Sequence, residues 1–199
     1  MTERPDLTAL LGSRICHDLI SPIGAIGNGI ELMLMEGAEL SGPEVALISE
    51  SAASANARIR FFRVAFGQAS HDQRLGAAEI RSILANLSSA ARITTDWQIA
   101  QNLPRAEVKL GFLALMCLET AMAFGGRTSV TFDGGRLVVT GQAARLKIDP
   151  GTWNILTPGS GGAGVTPPVV HFALLREEVT RLSRLIAVDL RETEIKMVV

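Results

Sequence analysis

Residues 7–33 read LTALLGSRICHDLISPIGAIGNGIELM, and the reading of this stretch decides the fold. Leu7, Leu11, Ile15, Leu19, Pro22, Ile26, Ile30 and Met33 advance in steps of three or four, which at about 100° per residue keeps them on one stripe of an α-helix. Asp6 stands where an N-cap side chain accepts the first free N–H groups. Pro22 lacks an N–H and crowds the carbonyl four residues back, so a bend is expected there rather than a stop. The helix is expected to fade near Glu36-Gly37. Ser41-Gly42-Pro43-Glu44 then offers a capping-box Ser and Glu three apart with proline near the first turn. Val45, Ile48, Ala52, Ala55, Ile59, Phe62 and Phe66 repeat the three-and-four spacing up to a stop at Gly67. Two such helices joined by a short loop make an antiparallel hairpin.

A two-helix hairpin buries its own seam poorly, because each stripe has a single partner to cover it. Pairing with a second copy into a four-helix bundle is the economical solution, since two-fold dimers are the commonest oligomers. The alternative is that the second half of the same chain covers the seam. After the polar linker 69–73 the pattern changes. A helix over Ala77 to Leu87, a β-like run over Ile93 to Ile99 and a long apolar helix from Arg105 to Phe124 follow. Strands around Asp133-Gly134-Gly135 form a hairpin. Further short strands are expected over Arg145 to Ile148, Leu185 to Asp189 and Glu194 to Val198, and a helix over Pro168 to Leu182. The fold class is therefore α+β: a helical hairpin, residues 1–69, followed by an α/β sandwich, residues 70–199.

Composition removes several functions. The chain has 199 residues, 47% of them hydrophobic, which excludes intrinsic disorder. Nineteen basic and twenty acidic side chains leave a net charge of −1, so no global field attracts nucleic acid or anionic lipid. Cys16 and Cys117 have no CxxC spacing, which argues against a zinc site or a disulfide scaffold and fits a reducing cytoplasm. The apolar run from Leu110 to Leu118 falls short of the ~20 residues of a membrane helix, and the charged start does not read as a signal peptide.

One constellation carries chemistry: Arg14-Ile15-Cys16-His17-Asp18-Leu19-Ile20-Ser21-Pro22. With Ile15 at the centre of the seam, His17 lies about 200° round the helix. Ser13, Ser21, Gly24 and Asn28 fall within about 40° of it, so the histidine stands in a strip of small and polar residues that a partner can approach closely. A neutral imidazole has a free lone pair for nucleophilic attack, and Asp18 can accept a hydrogen bond from the other ring nitrogen and fix the tautomer. A surface histidine with no role is the competing reading.

The run from His17 to Ile26 resembles the H-box of sensor histidine kinases, H-[ED]-L-x-x-P-[LI]-x-A-I, on the first helix of a dimerisation and phosphotransfer hairpin. Cys16-His17-Asp18 with Ser21-Pro22, the ending Phe62-Arg63-Val64-Ala65-Phe66-Gly67 and Trp97-Gln98 resemble more narrowly the ChpT family of bacterial histidine phosphotransferases. That resemblance implies a homodimeric four-helix bundle followed by a degenerate kinase-type ATPase domain. The degeneracy is legible. Thr120 stands where the kinase helix carries a magnesium-holding asparagine, and Val138-Val139-Thr140-Gly141-Gln142 lacks the aspartate that reads adenine. The loop Gly159 to Gly164 resembles a phosphate-loop remnant that lacks its companion motifs.

The resemblance then implies a relay without bound cofactor in this chain, cytoplasmic, with neither nucleic acid nor membrane as partner. A phospho-aspartate on the receiver of a CckA-like hybrid kinase donates to His17, and His17 passes the group to CtrA-like and CpdR-like response regulators, with magnesium supplied by the receiver. Arg14 is expected either to pair with acidic groups on the receiver or to stand solvated, and Arg63 to join the partner surface. An ATP-dependent histidine kinase and a non-catalytic dimeric scaffold are the alternatives. His71 and His171 rank lower as acceptors, since neither has an adjacent acid and a following proline.

Overall fold

The computed structural model describes residues 5–36, 42–70, 72–88, 92–157, 159 and 164–199. Its first helix, α1, runs over Leu7–Glu36 and passes through Pro22 without stopping. Asp6 caps it, its Oδ1 accepting from the N–H groups of Thr8 at 3.0 Å and Ala9 at 3.1 Å. The second helix, α2, covers Pro43–Ala65, with Gly42 as N-cap in extended conformation. Ser41 of the expected capping box, His71 and the interior of the Gly159 to Gly164 loop lie outside the described residues. Gly67 follows α2 where any Cβ would collide with the Arg63 carbonyl oxygen, so only glycine allows the chain to leave the helix there.

The chain then forms β1 (Arg74–Leu75), α3 (Ala77–Ser88), β2 (Ile93–Trp97), β3 (Leu103–Pro104) and α4 (Arg105–Ala121). The hairpin strands β4 (Gly126–Asp133) and β5 (Arg136–Gln142), the short helix α5 (Pro150–Asn154), a 3-10 turn over Pro167–Val169, α6 (Val170–Arg181), β6 (Ala187–Leu190) and β7 (Glu194–Val198) complete it. The five-stranded sheet has the order β2-β4-β5-β7-β6, with β2 parallel to β4 and the other pairs antiparallel. Gly134 and Gly135 both have positive φ, 55° and 80°, the geometry of the two-residue turn whose twist matches a hairpin. The fold is α+β.

α4 is the centre of the molecule. Val108, Leu110, Phe112, Leu113, Leu115 and Leu118 are all buried, so the middle of the helix is apolar all round because protein covers it there. Trp97 of the sheet packs on one face, where Gly111 leaves room for the indole. On another, Phe61 of α2 stacks on Phe112 with ring centroids 4.6 Å apart. The hairpin thus shares one hydrophobic core with the second half.

Two expectations are corrected. Arg145 to Ile148 is not a strand: the Lys147 N–H donates to the Ala121 carbonyl at 2.8 Å, and Leu146 and Ile148 pack inward from irregular backbone. The apolar helix ends at Ala121 rather than Phe124, which is exposed beneath the Arg145 guanidinium. Ile59, a seam residue in the sequence, is 49% exposed in the single chain, while Ala55 and Phe62 of the same stripe are buried. The second half of the chain covers the far end of α2, the alternative left open by the sequence, but not the middle of α1, where Ile20, Ile23, Ile30 and Leu34 face outward.

Candidate functional site

His17 projects from the middle of α1 with its side chain 86% exposed. The helical period explains this: the stripe through Ile15, Leu19 and Ile26 faces protein, and a residue about 200° away faces solvent. Asp18, one residue on, is turned toward the protein and only 11% exposed. His17 Nδ1 lies 3.1 Å from Asp18 Oδ1, and Arg14 Nε donates to Asp18 Oδ2 at 2.7 Å. A carboxylate paired with a guanidinium accepts hydrogen bonds and has none to donate, so the proton of this contact is on Nδ1. The lone pair on Nε2 is then the one directed to solvent.

A cleft of about 460 Å³ opens beside the histidine between α1, α4 and the 3-10 turn, lined by Ser13, Arg14, His17, Asp18, Met116, Glu119, Thr120, Pro167 and Pro168. Crowding by surrounding protein pushes the Glu119 carboxyl up to about 7, against the pull of Arg14 and Arg58 and with a smaller push from Asp18. The Glu119 side chain also opens onto the cleft, and water there works against that shift.

Of the residues singled out in the sequence, the structure brings Ser13, Arg14, His17 and Asp18 together. Ser21 lines a separate groove between α1, α2 and α3. Gly24 and Asn28 are exposed further along α1, and a Cβ on Gly24 would meet nothing within 4 Å, so that face is open to close approach. Arg63 is exposed on α2, its backbone carbonyl accepting from the Arg105 guanidinium. Arg14 is also engaged within the chain: besides Asp18, it donates through Nη1 to the Pro168 carbonyl at 2.6 Å. Met116, Glu119, Pro167 and Pro168 were missed. They lie about a hundred residues or more from His17, and no local pattern announces that pairing.

The other candidate positions are engaged differently. Thr120 Oγ1 donates to the Met116 carbonyl at 3.0 Å and lies 3.1 Å from His171 Nε2, so its hydroxyl accepts from the ring at the edge of the cleft. His171 is buried, with Nδ1 lacking a partner, and burial first, then Arg14, lowers its pKa to about 3. It is neutral and closed to any phosphoryl donor. This fixes a sign: an unfolded chain takes up a proton on this residue near pH 6.5 while the folded chain does not until about pH 3, so stability falls as pH falls through that window. The slope from one such group is at most about 1.4 kcal/mol per pH unit. Chemical denaturation of H171Q beside the unmodified chain is expected to show a shallower loss of stability between these pH values. Identical slopes would contradict the burial of a neutral ring.

Among the described residues, no group of His, Cys, Asp and Glu side chains could hold a metal ion, and no helix is long and apolar enough to cross a membrane. A solvent-facing histidine held by an acid on a helical hairpin, backed by an α+β layer, defines a phosphotransfer class of protein. A family model described as "Histidine phosphotransferase C-terminal domain" matches residues 77–194, and the chain belongs to this family of histidine phosphotransferases that act in phosphorelays. It is similar to the protein phosphotransferase ChpT of Brucella abortus (strain 2308), 36% identical over 172 residues that cover 83% of this chain and 80% of that protein. A solved structure described as "1.7 Angstrom Structure of a Bacterial Phosphotransferase" superposes with a TM-score of 0.81 at 30% identity, covering 100% of this chain and 97% of the other.

Proposed function

We propose that His17 is the phosphoryl carrier of this phosphotransferase, taking the group from a receiver-domain aspartate and passing it to another. One observation carries the assignment: Nε2 faces solvent on an 86% exposed ring while Nδ1 is tied to a carboxylate that is itself buried and ion-paired. The Nε2 lone pair attacks the phosphorus of an aspartyl phosphate, the N–P bond forms, and the P–O bond to the acyl oxygen breaks with the electron pair leaving on the receiver carboxylate. No proton needs to move, since Nδ1–H stays on Asp18 while that carboxylate stabilises the positive charge developing on the ring. Donation is the reverse. Phosphoryl transfer depends chiefly on in-line positioning and charge neutralisation, and a receiver brings its own magnesium and lysine. The label acquired from a phosphorylated receiver should be stable in alkali and lost in acid, as a phosphoramidate is; an alkali-labile label would point to an acyl phosphate and overturn the assignment.

The partners follow the family resemblance: a CckA-like hybrid kinase receiver as donor, CtrA-like and CpdR-like regulators as acceptors. Ser13 and the open surface at Gly24 and Asn28 flank the ring and suit close docking, with Ser21 and Arg63 at the margin. The second copy of the chain is the partner for the exposed strip of α1. Ile20, Ile23, Ile30 and Leu34 fall within about 80° of one another round the helix, and soluble monomers rarely leave such a contiguous apolar strip uncovered. That strip runs from the edge of the seam at Ile30 toward His17 without reaching it, so dimerisation into a four-helix bundle leaves the histidine accessible.

ATP has no part in this reading. The Thr120 hydroxyl, at the place of the kinase asparagine, is spent on Met116 and His171 and is not free to support a metal-bound phosphate. Titration calorimetry with millimolar magnesium-ATP should give no saturable heat. A dissociation constant below ~100 μM would restore the kinase alternative.

A further inference from the structure

We propose that Arg14 is a positioning residue for phosphoryl transfer: by bridging Asp18 to the Pro168 carbonyl it fixes the tautomer of His17, and it links the phosphotransfer helix to the second half of the chain. The inference rests on the assignment of His17 as carrier. Arg14 and Asp18 are four residues apart on α1 and so share a face, but the basic residue is the N-terminal member, the less favourable order for such a helical pair. Left in water, the two side chains would hold each other weakly. Here the guanidinium has a second anchor, the Pro168 carbonyl 2.6 Å from Nη1. That acceptor is stiff, because Pro167 and Pro168 have ring-locked φ angles at the start of the 3-10 turn. The anchor leaves the Arg14 side chain 21% exposed and Asp18 11% exposed, beneath a ring that is 86% exposed. The hydrogen bonds of Arg14 go to Asp18 and Pro168 rather than to the His17 ring; it holds the carboxylate that holds Nδ1–H. A planar fork can span both acceptors at once, which a lysine ammonium does less well. The consequence is that any shift of the 165–169 segment relative to α1 is felt at His17 as a change in which ring nitrogen carries the proton.

The test uses the full chain labelled with nitrogen-15 in histidine. Long-range proton–nitrogen correlation spectra at pH 8, with His17 assigned by its absence in H17Q, should place the proton on Nδ1 in the unmodified chain. R14M should shift it toward Nε2, and R14K should restore the Nδ1 form in part. Rates are read with potassium phosphoramidate, a small donor that needs no docking surface: R14M should be slower by about tenfold, the low end of what removing a histidine-orienting partner costs elsewhere. Should R14M fail to fold by circular dichroism, R14Q replaces it. A receiver that fails to label the unmodified chain counts against the relay, whereas the phosphoramidate rate and the tautomer report on Arg14 alone. An unmodified His17 protonated on Nε2, or Arg14 variants with unchanged tautomer and rate, would overturn the proposal.

Discussion

Replacing His17 by glutamine is expected to abolish phosphoryl acceptance from a labelled receiver while leaving the fold intact. Among the described residues the ring makes one hydrogen bond, to Asp18, and is 86% exposed; exposed substitutions of this kind usually change stability by no more than about 0.5 kcal/mol. Glutamine keeps a polar side chain and removes the nucleophilic nitrogen, so unlabelled yet fully folded protein is the expected outcome. D18N should behave differently. The nucleophile remains, but the amide can present a donor to Nδ1, which favours the wrong tautomer and removes the charge that balances the developing imidazolium. Transfer slowed on the order of a hundredfold, rather than lost, is expected. Side-by-side time courses of label transfer, with melting curves of each variant, check both. Normal labelling of H17Q would mean that another residue is the acceptor.

The second large effect concerns the dimer. Ile23→Asp places a carboxylate at a position 56% exposed in the single chain. If α1 pairs with a second copy, the same position is buried and the unpaired charge costs several kcal/mol. The variant should therefore dissociate while each chain keeps its own core, since Phe61, Phe112 and Trp97 lie elsewhere. Light scattering at micromolar concentration should give twice the chain mass for the unmodified protein and the single chain mass for I23D. A monomeric unmodified protein, or an I23D variant that still dimerises, would remove the four-helix bundle from the account.

Much of the architecture is written locally. The period of the hairpin, the Asp6 cap and the Asp133-Gly134-Gly135 turn each depend on neighbouring residues, and each is present as expected. What was misread depends on distant partners. Alternating Leu146 and Ile148 imitate a strand, but their neighbour's N–H pairs with the end of α4, and no ladder forms. The two-residue strands β1 and β3 arise only because Arg74 and Leu75 meet Pro104 and Leu103. The helix α5 had a legible start that went unread: Asp149 before Pro150, its carboxylate accepting from the Thr152 N–H at 2.8 Å. At the site, His17 and Asp18 stood out because adjacent residues on one helix define their geometry. The anchor of Arg14 was not legible, because the carbonyl that accepts from it belongs to Pro168, 154 residues away.

The central claim, that His17 carries phosphoryl groups between receivers without drawing them from ATP, is tested most directly by a two-stage labelling experiment on the full chain. Incubation with γ-labelled magnesium-ATP alone should leave the protein unlabelled. Addition of a receiver bearing labelled phospho-aspartate should transfer the label to this chain, peptide mapping should place it on His17, and a fresh unphosphorylated receiver should then remove it. Label acquired from ATP alone, or label that maps to a residue other than His17, would contradict the account.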